Sequence, residues 1–115
     1  MNNDPYTTRG SEIHFSNAAI VTFPYPIAES LLFDDVLVVR LKIPLDTIYN
    51  ENVFGIHLSG TILWQISPCY PKTEDGRFGG LHRDRDLVAV SNYRGLLLYL
   101  NPRTGEVRDK KEQIH

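Results

Sequence analysis

Cysteine is almost missing from these 115 residues: Cys69 is the only one, so the chain cannot close an internal disulfide. A secreted scaffold held by disulfides is therefore not expected, and the reducing cytoplasm is the expected compartment. Long apolar runs are missing as well. Nowhere do the ~18 apolar residues of a spanning helix run together, and the stretch from Met1 to Glu12 holds no apolar segment of a signal peptide. No membrane association is expected.

Charge of one sign is also lacking. Twelve lysines and arginines stand against fourteen aspartates and glutamates, a net charge of −2, so there is no basic footprint for nucleic acid and none is expected as a partner. The four histidines include no pair at i, i+4 or i, i+2, and there is no paired-cysteine motif, so neither a metal nor any other cofactor is expected. Gly76-Arg-Phe-Gly-Gly80 offers backbone donors but has neither the lysine nor the following helix of a phosphate-binding loop.

What is present is a loosely repeated hairpin. Asn52-Val-Phe-Gly-Ile-His-Leu-Ser-Gly-Thr-Ile-Leu-Trp-Gln-Ile66 and Leu87-Val-Ala-Val-Ser-Asn-Tyr-Arg-Gly-Leu-Leu-Leu-Tyr-Leu-Asn101 align with Gly60 on Gly95, Val53 on Val88 and Trp64 on Tyr99. Each copy reads as a strand, a polar turn closed by glycine, and an aromatic-bearing strand. Trp64, Tyr99, Phe23 and Phe54 fall at alternating strand positions and are assigned to the core.

Asp35-Val-Leu-Val-Val-Arg-Leu-Lys-Ile43 alternates, with Leu37, Val39, Leu41 and Ile43 on one side and Val38, Arg40 and Lys42 on the other. It is read as a strand with one face to the core and one to water. Ala18–Phe23 reads as a strand stopped by Pro24 and Pro26, and Ile27–Phe33 as a short helix entered through Pro26. Residues 1–16 read as a flexible or loosely docked arm, residues 17–109 as a single domain, and residues 110–115 as a fraying tail. A composition of 42% hydrophobic and 23% charged residues suits one soluble globular core. The expected fold is all-β or β-dominated: an antiparallel meander forming an open sandwich or half barrel, with at most one short helix.

Gly55-Ile-His-Leu-Ser-Gly-Thr-Ile-Leu-Trp64 and Leu98-Tyr-Leu-Asn-Pro-Arg-Thr-Gly-Glu-Val107 resemble the blade hairpins of quinoprotein-type propellers. A propeller needs at least four blades of roughly 40 residues each, which excludes a complete one here, and with it a quinone cofactor. A second resemblance runs along the chain. The proline-punctuated first strand, Asp34-Asp35 before an alternating strand, and then Asn52-Val-Phe-Gly55 and Leu63-Trp-Gln-Ile66 are similar to small uncharacterised bacterial β-proteins, some of them immunity-like. That resemblance implies a protein that works by covering a partner's surface, without turnover.

Residues 67–86 are rich in glycine, proline and charge and show no period, so they read as one long loop, the first place to look for function. Tyr70, Arg77, Phe78, His82, Arg83, Arg85 and Tyr93 have the arginine-plus-aromatic composition of binding hot spots and are the candidate interface. Cys69 and His82, with Asp84 or Asp86, form the alternative of a small hydrolase or nuclease-like enzyme, which needs these groups within hydrogen-bond reach. Asp34-Asp35 and Glu74-Asp75 are adjacent carboxylates, and neighbours on a strand point to opposite faces, so neither pair reads as a general acid and base. Exposed Tyr70, Phe78 or Tyr93 would serve a small-molecule or carbohydrate binder. The leading expectation is a non-catalytic protein-binding domain, with a homodimer through a free sheet edge as a further expectation.

Overall fold

The computed structural model describes residues 4–112, and within them the chain is all β. The strands are β1 (Tyr6–Arg9), β2 (Glu12–Phe15), β3 (Ile20–Thr22), β4 (Ile27–Phe33), β5 (Val36–Leu41), β6 (Val53–His57), β7 (Ile62–Gln65), β8 (Phe78–Asp84), β9 (Leu87–Asn92), β10 (Leu96–Leu100) and β11 (Val107–Glu112). They form three antiparallel meanders, β1-β2-β3, β4-β5-β6-β7 and β8-β9-β10-β11. Each connects neighbours in sequence, as short turns between antiparallel strands require.

The middle sheet lies between two cores. On one side Leu37, Val39, Leu41, Phe54 and Ile56 pack against Ile13 and Phe15 of the first sheet, with Phe23 just beyond it. On the other, Val38, Val53 and Trp64 pack against Phe78, Leu81, Val88, Val90 and Leu98 of the third. Successive residues of a strand face opposite sides, so even β4 divides its apolar residues, Leu31 and Phe33 to one core and Leu32 to the other. The outer sheets end the stack with polar faces. Register places Thr7, His14 and Ile20 in one row and Arg9, Glu12 and Thr22 in the next, while His82, Ala89, Tyr99 and Asp109 form a row on the far side.

This arrangement corrects several expectations. The β5 face expected to meet water is buried, because a third sheet covers it: Val38 is fully buried, and Arg40 is neutralised by Glu29. Strands covered on both faces read as near-continuous apolar runs, which Val36–Val39 is. Ile27–Phe33 is a strand and not a helix; Leu31, Leu32 and Phe33 serve two cores, which one helical stripe could not do. The stretch expected as a loose arm contains β1 and β2, tied in by fully buried Ile13 and by Phe15, and residues 1–3 lie outside the described residues. Lys110–Glu112, expected to fray, complete β11, and 113–115 lie outside the described residues. Tyr99 is half-buried on the outer face beneath Lys111, and Leu98 takes the core position instead.

The repeated hairpins are present as β6–β7 and β9–β10, with Gly60 at φ +97° and Gly95 at φ +89° in their turns. Left-handed backbone of this kind favours glycine. Gly55 is required for a different reason: a Cβ there would lie 2.1 Å from the Trp64 indole nitrogen. Of the outer edges, β11 carries Arg108, Lys110 and Lys111, charges that discourage pairing with another chain. β7 is uncharged and leaves Ile62 and Leu63 exposed.

The second and third sheets meet where the β4 and β8 edges approach without pairing. Asn52, fully buried, donates to the carbonyls of Leu41 at 3.0 Å and Phe78 at 2.9 Å, and accepts from the Phe78 amide at 3.0 Å. Glu29 accepts from the Leu81 amide at 3.1 Å, and Arg83 donates to the Leu32 carbonyl. Side chains thus satisfy the edge backbone that a further strand would otherwise pair. Asn52→Ala removes the partners of three backbone groups and is expected to cost about 2–4 kcal/mol, measured by urea unfolding; unchanged stability would mean that this joint does not hold the sheets.

Candidate functional site

In an antiparallel meander alternate turns fall at the same end. The two-residue loops Asp34-Asp35 and Arg85-Asp86, the Leu58–Thr61 turn and the Asn101–Glu106 turn therefore share one end of the second and third sheets. Between them opens a cleft of about 440 Å³ lined by Arg83, Arg85, Arg103 and Arg108, by Asp34 and Asp86, and by Phe33, Leu87 and Pro102. Trp64 holds one wall: its indole N–H donates to the Pro102 carbonyl at 2.8 Å, and its ring lies against Gly105, where φ is +74° and a Cβ would lie 2.7 Å from the indole.

The four arginines are held differently. The Arg83 guanidinium lies over the Phe33 ring at 4.0 Å while donating to Leu32. Arg103 pairs with Asp35 through both terminal nitrogens. Among the described residues, the side chains of Arg85, Arg108, Asp34 and Asp86 make no hydrogen bond or ion pair. Arg85 also sits at φ +58°, in left-handed backbone that costs a non-glycine residue about 1–2 kcal/mol. Asp34, at φ +55°, starts the matching turn, and aspartate tolerates that region better.

Beside the cleft runs a chain of polar contacts absent from the sequence expectations. His57 Nε2 lies 3.1 Å from Asp35 Oδ2, and its Nδ1 lies 2.8 Å from Ser59 Oγ. The Ser59 amide donates to Nδ1 at 3.0 Å, so that nitrogen carries the lone pair and Nε2–H donates to the carboxylate. The order serine, histidine, aspartate is that of a hydrolytic triad. Yet the Ser59 amide is spent on the imidazole, and Ser59 is not among the residues that line the arginine cleft. The array acts as a brace: through Asp35 it ties the β6–β7 turn to Arg103 in the cleft wall. No spacing rule reveals it, since it depends on the register that sets His57 opposite Val36.

The sequence candidates separate into three groups. Arg83 and Arg85 line the cleft, with His82 exposed on the neighbouring face of β8. Tyr70 and Tyr93 belong to the opposite end. The Tyr70 ring lies 4.1 Å from the Arg94 guanidinium and against Gly76, while Tyr93 is 85% exposed and lies against Gly79. Arg77 and Phe78 are not surface residues. Phe78 is fully buried in the core, and Arg77 donates to the carbonyls of Ile43, Pro44 and Thr47 and to Asp75, fastening the 43–47 loop. The expected loop over 67–86 is correspondingly shorter, since residues 78–84 are β8.

Cys69 is exposed, and partial burial of its thiol outweighs nearby Lys110 and pushes it above its ordinary value, the reverse of an activated nucleophile. Among the described residues no group of three or more histidines, cysteines, aspartates or glutamates could hold a metal ion, and no helix is long and apolar enough to cross a membrane. We expect Cys69 to react with iodoacetamide at neutral pH more slowly than free cysteine; faster reaction would reopen the thiol for catalysis.

Desolvation acts to raise the Asp35 carboxyl, but the His57 hydrogen bond and the Arg103 charge outweigh it and hold it below its ordinary value of 3.8. A carboxyl lowered on folding contributes stability above that value and loses it as the pH falls through the lowered one. Asp35→Asn is therefore expected to be less stable than wild type at neutral pH and to lose less on acidification, read as urea midpoints across that range. Parallel curves would show that the brace is not coupled to folding.

Comparison with solved structures finds a computationally designed protein, Ika8, with a TM-score of 0.64 and 11% identity, over 96% of this chain and 35% of that one. The likeness supports the fold alone, and the chain spans about a third of that structure's length. No curated protein matches. A family match covers residues 5–112, nearly the whole chain, and on that basis the protein belongs to the family described as a domain of unknown function, DUF7957.

Proposed function

We propose that this protein is a non-catalytic binding module that engages a protein partner through the arginine-lined cleft at the turn end of its second and third sheets. An immunity-like inhibitor is one instance of such a module. The observation that carries the reading is the convergence of four arginines on one cleft, two of them with no partner among the described residues. Arginine is enriched at binding hot spots because its planar fork holds carboxylates and its stem covers apolar surface. Half-buried Leu87 supplies the apolar part of such a surface.

Arg85 strengthens the argument. Glycine would occupy its left-handed turn without strain, so arginine there sacrifices stability, and residues kept in strained backbone cluster at functional sites. The enzyme alternative has no comparable support, since the Cys69 thiol is pushed up and Ser59 does not line this cleft.

The test separates stability from binding. Arg85→Gly is expected to raise the unfolding midpoint slightly, or leave it unchanged, and combined with Arg108→Ala to release a stoichiometric partner captured from native cells at low salt. Retention of that partner by the folded double variant would remove the cleft from the reading.

A further inference from the structure

We infer that the cleft selects a carboxylate-bearing segment of its partner, an acidic stretch with an apolar residue beside its acids, over nucleic acid. The inference rests on the cleft being the binding site, and it names the chemistry bound there.

The first argument is charge. The cleft's four arginines face Asp34 and Asp86 on its own lining and Asp35 on Arg103, so four positive charges against three negative leave one net positive charge. A nucleic-acid strand, charged at every phosphate, brings more negative charge than one net positive charge balances, whereas Arg85 and Arg108 balance one or two carboxylates. Like charges brought together at an interface suppress wrong partners more strongly than complementary ones reward right ones. The whole chain, at −2, adds no long-range attraction for a polyanion.

The second argument is the shape of the donors. Arg83 commits one terminal nitrogen to the Leu32 carbonyl and lies over the Phe33 ring, which restrains its fork and leaves further N–H donors uncommitted. Among the described residues, Arg85 and Arg108 leave theirs without a partner. Planar forks of this kind hold two oxygens of a carboxylate or a phosphate, so they call for an anion, and the apolar lining beside them favours one carried on a peptide.

The third is the absence of a stacking platform. Single-stranded nucleic acid is held by bases stacked on exposed aromatic rings. The one aromatic residue lining this cleft, Phe33, is buried and covered by Arg83. Half-buried Leu87 beside the arginines suits an aliphatic side chain next to an acid.

The experiment uses the full chain at low salt with three probes: a fluorescein-labelled peptide of alternating aspartate and leucine, inorganic phosphate, and a labelled single-stranded oligothymidine. The peptide is expected to bind saturably, phosphate more weakly for want of an apolar contact, and oligothymidine not at all. Arg85→Ala with Arg108→Ala is expected to weaken peptide binding by about tenfold or more, as loss of charge-assisted hydrogen bonds implies. Asp34→Asn with Asp86→Asn is expected to create oligothymidine binding where wild type has none, with the unfolding midpoint of each variant confirming its fold. Phosphate or oligothymidine bound by wild type as tightly as the peptide, and lost in the arginine variant, would overturn the carboxylate inference while keeping the cleft. Peptide binding that is absent, or unaffected by the arginine variant, would overturn both.

Discussion

Everything in this molecule depends on two sheet edges that face each other without pairing. β4 and β8 come together as the second and third sheets stack, and pairing them would merge the sheets and remove the second core. Asn52 takes the place of a strand. Its amide is both donor and acceptor, so it satisfies the Phe78 N–H and C=O together, and it reaches back to Leu41 on its own sheet. Glu29 and Arg83 do the same for Leu81 and Leu32. Buried polar groups satisfied in this way confer rigidity and a single packing, because any other alignment leaves them unpaired.

That joint also explains what was legible in the sequence. Alternation and glycine-closed turns revealed the strands of the repeated hairpins, since those signals are local. The fate of Val38, Phe78 and Arg77 was not legible, because it depends on a sheet arriving from elsewhere in the chain. Val36-Leu-Val-Val39 did carry a hint: four consecutive apolar residues exceed what a half-exposed strand needs. Ile27–Phe33 was misread as helical because Ile27 and Leu31 satisfy a helical spacing, whereas the structure needs the opposite faces of Leu31 and Leu32. For the site, Arg83 and Arg85 were visible as a charged stretch; Arg103, Arg108 and the His57 brace were not, because only register and stacking bring them there.

The two ends of the stacked sheets reverse the usual expectation about loops. Long connections commonly carry function, and here the longest ones are consumed by internal ties. Arg77 fastens residues 43–47. Asn50 donates to the Glu74 carbonyl at 2.8 Å and accepts from the Gly76 amide at 2.8 Å, holding the 66–77 connection against the 42–52 one. These straps close the end of the stack where the chain must travel between sheets. In the tight turns at the other end, Asp34, Arg85 and Asp86 make no side-chain hydrogen bond or ion pair among the described residues.

Short turns carry function well for a further reason. A two-residue loop has almost no conformational freedom, so Arg85 is presented at small entropic cost to binding, unlike an arginine on a mobile loop. Its left-handed backbone is held by β8 and β9 on either side, with Phe78 of β8 and Val88 and Val90 of β9 fully buried. The core thus bears the strain, and the surface displays a charge whose position the core determines. The Arg103 side has the same logic by other means, with Trp64 gripping Pro102 and Asp35 gripping the guanidinium. Both walls of the cleft are anchored in the packing that separates the two sheets, so the site could not exist if β4 and β8 had simply paired.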